Sequence, residues 1–182
     1  MIYLARHGQS TNAAKGLYQG QQMCPLSELG ILQAKDAALR LEALPIKHII
    51  SSDLERARQT ADIINEKFKL RIELDERLRE YDGGKFENTA LADIPTDFKT
   101  NPSKYGVETS RDMFIRVKSF WDSFIKRKLD EVLIVCHEGA MAMLVYILEN
   151  PNVTVEQIPN DRELAQYRVF KNAEILAIPF PL

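Results

Sequence analysis

Two stretches of this chain end an apolar run abruptly in a histidine and then turn polar. Ile2-Tyr3-Leu4-Ala5 leads into Arg6-His7-Gly8-Gln9-Ser10-Thr11-Asn12, and Val132-Leu133-Ile134-Val135-Cys136 leads into His137-Glu138-Gly139. Arg6 offers a planar fork that matches phosphoryl oxygens, and His7 offers a ring nitrogen that can act as an uncharged nucleophile near neutral pH. Gly8 allows the backbone to approach a ligand closely. A third stretch, Ser51-Ser52-Asp53-Leu54-Glu55-Arg56-Ala57-Arg58-Gln59-Thr60-Ala61, passes through residues able to cap a helix and puts Arg56 and Arg58 in its first turns. Backbone N–H groups and an arginine at such a point form an anion site; the same residues also make an ordinary capped helix with solvated arginines. Arg-His-Gly by itself is short enough to arise by chance, so its meaning depends on what positions it.

The elements that must do so alternate along the whole chain. Strands are predicted at Ile2–Ala5, Lys47–Ser51, Arg71–Leu74, Val132–Cys136 and Glu174–Ile178. Helices are predicted from Ser27 to about Ala43, with Leu32, Leu39 and Leu41 as buried candidates, and over Glu55–Phe68, Ser110–Lys128 and Ala140–Leu148. Such alternation indicates an α/β fold with a largely parallel sheet. Two of the three histidines then fall at the carboxyl ends of parallel strands, where open α/β sheets bind ligands. His48 fits no motif and reads as a surface residue. Phe114, Val117, Phe120, Trp121 and Phe124 recur at helical spacing and read as core. Residues 85 to about 109 break the rhythm with Pro95, Pro102 and Gly106, keeping only a short helical hint at Leu91–Ile94. A loop this long is either a lid over a site or a disordered insertion.

Composition narrows the ligand. The chain has 182 residues, 45% of them apolar, enough to bury a core as a single domain over 1–182, with a cap-like insertion at about 85–109. A net charge of −2 with scattered basic residues offers no field for nucleic acid or an anionic membrane and favours a small-molecule ligand. Cys24 and Cys136 match no metal-ligand spacing and read as reduced packing cysteines. The first strand begins at Ile2, with no room ahead of it for a signal peptide, and no apolar run approaches the roughly 20 residues of a membrane span. A cytoplasmic location is expected, and a homodimer is left open.

The chain resembles the histidine phosphatase superfamily, in its phosphoglycerate mutase-like branch, over nearly its whole length. The matching segments are Leu4–Ser10; Tyr18-Gln19-Gly20 with Pro25-Leu26-Ser27-Glu28-Leu29-Gly30; Ser51–Ala61; Leu78-Arg79-Glu80-Tyr81-Asp82-Gly83-Gly84; and Val135-Cys136-His137. The resemblance implies a three-layer α/β/α fold with a mostly parallel central sheet and a short cap. It implies that His7 accepts the phosphoryl group, that Arg6, Arg56 and His137 clamp its oxygens, and that Glu80 is the general acid/base. Asn12 and Gln19 join these as phosphate-binding candidates. The chemistry independently calls for such types, because phosphoryl transfer is mostly positioning and charge stabilisation, and a phosphohistidine splits one displacement into two. Glu73, Asp75, Glu76 and Asp82 lie near Glu80, so only the family's spacing selects it. No cofactor or metal is expected.

The chain departs from the family pattern at three points. Ala13 stands where a phosphate-contacting Asn is usual, Glu138 where a Gly commonly follows the second histidine, and Met23 where an acidic residue is common. A Glu at a helix start suits the macrodipole while pointing to solvent; facing the site, it would repel a phosphate dianion and attract a cationic group. The expected function is a phosphomonoesterase for a small substrate such as a sugar phosphate, a nucleotide-derived phosphate, a phosphoamino acid or a phosphoprotein. The alternatives are phosphoglycerate mutase-type transfer, or a catalytically weakened phosphoryl-binding protein.

Overall fold

Val132–Cys136 is apolar at every position, and a strand can bury both faces only inside a sheet covered by helices on each side. The computed structural model, which describes residues 1–159, 161, 163 and 169–179, places it there. Five strands, β1 (Ile2–Arg6), β2 (His48–Ser51), β3 (Ile72–Leu74), β4 (Val132–Cys136) and β5 (Ile175–Ile178), form one sheet in the order β3-β2-β4-β1-β5. All pairs are parallel except β1 with β5.

Because side chains alternate across a strand, the sheet sorts its residues between two cores. Ile2, Leu4, Ile50, Val132, Ile134 and Cys136 face one layer, which holds α5 (Ser110–Lys126) and α6 (Glu138–Glu149). Tyr3, Ala5, Ile49, Leu133 and Val135 face the other, with α2 (Glu28–Leu41) and α3 (Glu55–Phe68). The aromatic stripe of α5 is buried at all five of its positions. The helix opens with a capping box, the Thr109 side chain taking the Asp112 N–H while the Asp112 carboxylate takes the Thr109 N–H.

In α2 the expectation fails for two residues. Leu41 is buried, but Leu32 and Leu39 are 63% and 69% exposed. The face turned inward is Gly30, Ala34, Ala37 and Leu41, the first three small enough to let the helix lie close to its neighbours. Gly8 sits at that crossing: a Cβ on it would lie 2.4 Å from Gly30 O, and a Cβ on Gly30 would lie 1.9 Å from Gln9 O. The missing side chain at Gly8 therefore admits the backbone of α2 rather than a ligand. His48 opens β2, partly buried.

Residues 84–107 contain only short helical turns, Gly84–Phe86, Leu91–Asp93 and α4 (Pro102–Tyr105). Phe86, Phe98 and Tyr105 gather edge to face, joined by Tyr18. A bridge between Leu17 and Ala90 ties the segment to the turn after α1 (Thr11–Ala14).

Candidate active site

Strand register brings the two histidines together. Arg6 on β1 pairs with Cys136 on β4, so the next residues, His7 and His137, leave the sheet side by side with ring centroids 4.9 Å apart. On the other side of β4, Ser51 pairs with Val135, and the chain turns through Ser52 into α3, which carries Arg56. The loop after β3 carries Glu80. The carboxyl ends of four parallel strands thus supply the cluster, the place where such sheets take ligands.

The His7 tautomer follows from its partners. Nδ1 lies 2.6 Å from Gly8 O, which can only accept, so Nδ1 carries the proton and Nε2 the lone pair. Arg56 Nε donates to that Nε2 at 3.2 Å. Burial first, then the charges of Arg56 and Arg6, hold the His7 pKa well below its usual value against the opposing pull of Gly8 O. His7 is therefore an uncharged imidazole whose Nε2 is unprotonated and holds its lone pair toward Arg56. Arg56 is fully buried, with Nη2 donating to Gly20 O at 2.7 Å and Nη1 to Gln22 O at 2.9 Å and Cys24 Sγ at 3.7 Å, so its position is fixed from behind. His137 is also fully buried and held neutral, by burial first and then by Arg56, His7, Arg116 and Arg6. Its Nε2 meets Ser52 Oγ at 2.8 Å, and its Nδ1 has no hydrogen-bond partner among the described residues.

Glu80 accepts from two backbone N–H groups, Tyr81 N at 3.0 Å and Gly139 N at 3.1 Å, the second at the start of α6. Gly139 has to be glycine for this: a Cβ there would lie 2.3 Å from Glu80 Oε1 and 2.8 Å from the Tyr81 ring.

A cavity of about 350 Å³ opens over this cluster, lined by Arg6, His7, Gln19, Arg56 and Glu80 and also by residues of the 84–107 segment, among them Phe98, Lys99 and Val107. Two predicted site residues lie apart from it. His137 is packed against His7 without lining the cavity, and Asn12 turns its amide to Asn88 at 2.5 Å while Ala13 lines the wall. Gln19 lines the cavity but spends its carbonyl on Ser10 Oγ at 2.6 Å. Met23 is exposed.

The sequence profile of the histidine phosphatase superfamily (branch 1) matches residues 2–169. The chain belongs to this superfamily. It is 32% identical over 157 residues, 81% of its own length and 77% of the relative's, to a Hydrogenobacter thermophilus protein named "Putative phosphoserine phosphatase 2". It is 43% identical over 96 residues, 52% of its own length, to the "Probable phosphoglycerate mutase GpmB" of Proteus mirabilis; the match spans only 44% of that protein. Among solved structures, mycobacterial glucosyl-3-phosphoglycerate phosphatase in complex with VO3 superposes with a TM-score of 0.80 at 28% identity, covering 96% of this chain and 88% of that one. This histidine phosphatase is thus an enzyme of the phosphatase class, acting on a small phosphorylated substrate, and no described helix is long and apolar enough to cross a membrane.

Glu138 resolves one of the departures from the family pattern. Its carboxylate lies 2.9 Å from Arg6 Nη1 and lines the cavity, so it faces the site. Arg6 also donates to Phe170 O, leaving its buried Nε without a partner among the described residues. Sequence reasoning missed Thr60, which accepts the Gly8 N–H at 3.1 Å and donates to Arg56 O at 2.8 Å, coupling the two motifs. The Ser51–Ala61 motif contains it, but only the fold brings it under Gly8.

Proposed function

We propose that this histidine phosphatase hydrolyses a small phosphate monoester through a phosphohistidine on His7. One observation supports this most directly: a neutral His7 whose unprotonated Nε2 meets Arg56 inside the cavity that also holds Arg6 and Glu80. Nε2 attacks phosphorus, and the Nε–H of Arg56 passes from the ring nitrogen to a phosphoryl oxygen as the N–P bond forms. The P–O bond to the leaving group breaks, and that oxygen takes a proton from Glu80. Water then returns a proton to Glu80 as its oxygen attacks phosphorus, releasing inorganic phosphate and neutral His7. Arg6 and Arg56 stabilise the charge on the equatorial oxygens, the work a metal ion does in other phosphoryl-transfer sites. His137 supports His7 from the side.

Hydrolysis is favoured over mutase-type transfer because the phosphatase-named relative matches over most of the chain, whereas the mutase-named one matches over about half. In the same reading, residues 85 to about 109 form the cap of a single domain, the protein is cytoplasmic, and neither nucleic acid nor a membrane is its partner. An assay that follows phosphate release from an aryl phosphate alongside isomerisation of phosphoglycerate, with and without excess chelator, tests this. Release without isomerisation and unchanged by chelator is expected; isomerisation outpacing release, or a requirement for added divalent metal, refutes it.

Glu138 should shape the substrate range. At about 4 Å a unit charge repels another by about 1 kcal/mol in a water-like environment, the appropriate end of the scale for a side chain one-third exposed, or about fivefold in a rate or affinity. Glu138→Gln removes that repulsion and frees an Arg6 donor. Hydrolysis of highly anionic esters should improve by about that factor relative to neutral-bodied aryl phosphates, and the gain should shrink at high salt. A ratio unchanged at both ionic strengths would mean that the carboxylate does not act on the substrate.

A further inference from the structure

The segment that carries Glu80 has almost no regular structure of its own, yet a general acid must be held within a fraction of an ångström. Gln21 Nε2 donates to Glu80 O at 3.1 Å, but most of the backbone anchorage comes from another side chain outside the cavity. Arg116, on α5, donates from Nη1 to Arg77 O at 2.9 Å and to Arg79 O at 2.7 Å, and from Nη2 to Glu80 O at 3.0 Å. Its other edge makes a fork-to-fork pair with Glu108, Nε to Oε1 at 2.6 Å and Nη2 to Oε2 at 2.8 Å. Glu108 closes the clamp by accepting the Asp82 N–H at 3.0 Å, while its own N–H donates to Asp82 O at 3.0 Å. Both side chains are largely buried. The backbone is therefore gripped on both sides of Glu80, at 77, 79, 80 and 82, by one ion pair.

We propose that Arg116, paired with Glu108, is a positioning residue for the Glu80 carboxyl, setting its distance to the leaving-group oxygen. The guanidinium suits this because its planar fork serves a carboxylate and several carbonyls at once, which the single point charge of a lysine cannot do. Glu108 also lines the cavity at the end of the 84–107 segment, so the same pair ties the acid to the cap. The inference rests on Glu80 being the general acid, and its test separates the two ideas.

The measurement is kcat and KM for one ester with a basic alkoxide leaving group and one activated aryl phosphate, in Arg116→Lys, Arg116→Met, Glu80→Gln and the Arg116→Met/Glu80→Gln double variant. A positioning role lowers kcat/KM for the alkyl ester about tenfold or more, leaves its KM and the aryl phosphate kcat/KM within about threefold, and adds nothing to the alkyl-to-aryl ratio of kcat/KM once Glu80 is already Gln, the later attack of water being common to both esters and absent from kcat/KM. If Glu80→Gln shifts the ratio and the Arg116 variants do not, the inference is overturned while the general acid stands. If Glu80→Gln itself leaves the ratio unchanged, the reading of Glu80 fails and the inference falls with it. A merely structural Arg116 slows both substrates alike or lowers only the melting temperature. Should Arg116→Met not fold, Arg116→Lys, which keeps the charge beside Glu108, decides by the same ratio.

Discussion

His7→Ala should abolish turnover while leaving a folded protein. The reaction proposed here runs through a covalent bond to His7 Nε2, and no side chain described beside it can take that place: His137 is fully buried against it and does not line the cavity. The expected fall is roughly four orders of magnitude or more, the scale on which covalent enzymes feel removal of an activated nucleophile. Acid-labile phosphate trapped on the wild-type protein by rapid quenching should be absent from the variant. The fold should survive with a modest loss, because the truncation leaves Arg56 Nε unpartnered, a defect costing about 1–3 kcal/mol. The pH dependence follows from the same geometry. With the His7 pKa lowered chiefly by burial and then by Arg56, the ring stays neutral as pH falls through 6.5, so a fall in rate there has to come from another group. Undiminished hydrolysis by a folded His7→Ala protein would end the phosphohistidine reading.

Much of this arrangement was legible in the sequence because parallel strands carry a loud signal. Val132–Cys136 reads as a strand from its unbroken apolar run, and with it His137 falls at a carboxyl end as His7 does; that the two strands are neighbours shows only in the register. The α5 stripe was equally plain, since five large side chains at helical spacing have nowhere to go but the core. Helix α2 misled for the opposite reason. Its buried face is made of glycine and alanine, whose value lies in letting backbones approach, and hydrophobic pattern alone assigns the inside to the larger Leu32 and Leu39. Glu80 could be chosen among neighbouring carboxylates only by resemblance, because what distinguishes it is a hydrogen bond to Gly139 across 59 residues of sequence. Its rivals are spent elsewhere, Glu73 on Arg127 and Asp75 on Arg77. Arg116 gave no signal at all: a lone arginine on the polar margin of an amphipathic helix looks like any solvated one until the 77–82 segment folds over it.

Glu80→Gln should slow esters of basic alcohols far more than activated aryl phosphates. A proton must reach the leaving oxygen only when that oxygen is too basic to depart as an anion, and general acid catalysis contributes about 10²–10⁴-fold where it is needed. Glutamine keeps the size of the side chain but has one accepting oxygen, so it cannot serve both Tyr81 N and Gly139 N in the same way. Any resulting loosening of the loop slows both substrate classes together and drops out of their ratio, which isolates the proton. The ratio of kcat/KM values should therefore move by about 10² or more, because kcat/KM reports transfer to His7, whereas the later attack of water, which also needs Glu80 as a base, is common to both classes and does not enter it. If both classes slow equally, Glu80 is not the acid, and Asp82 becomes the candidate to test, since it lines the same cavity whereas Glu76 sits with Asp53 and Asp75 in a separate surface depression.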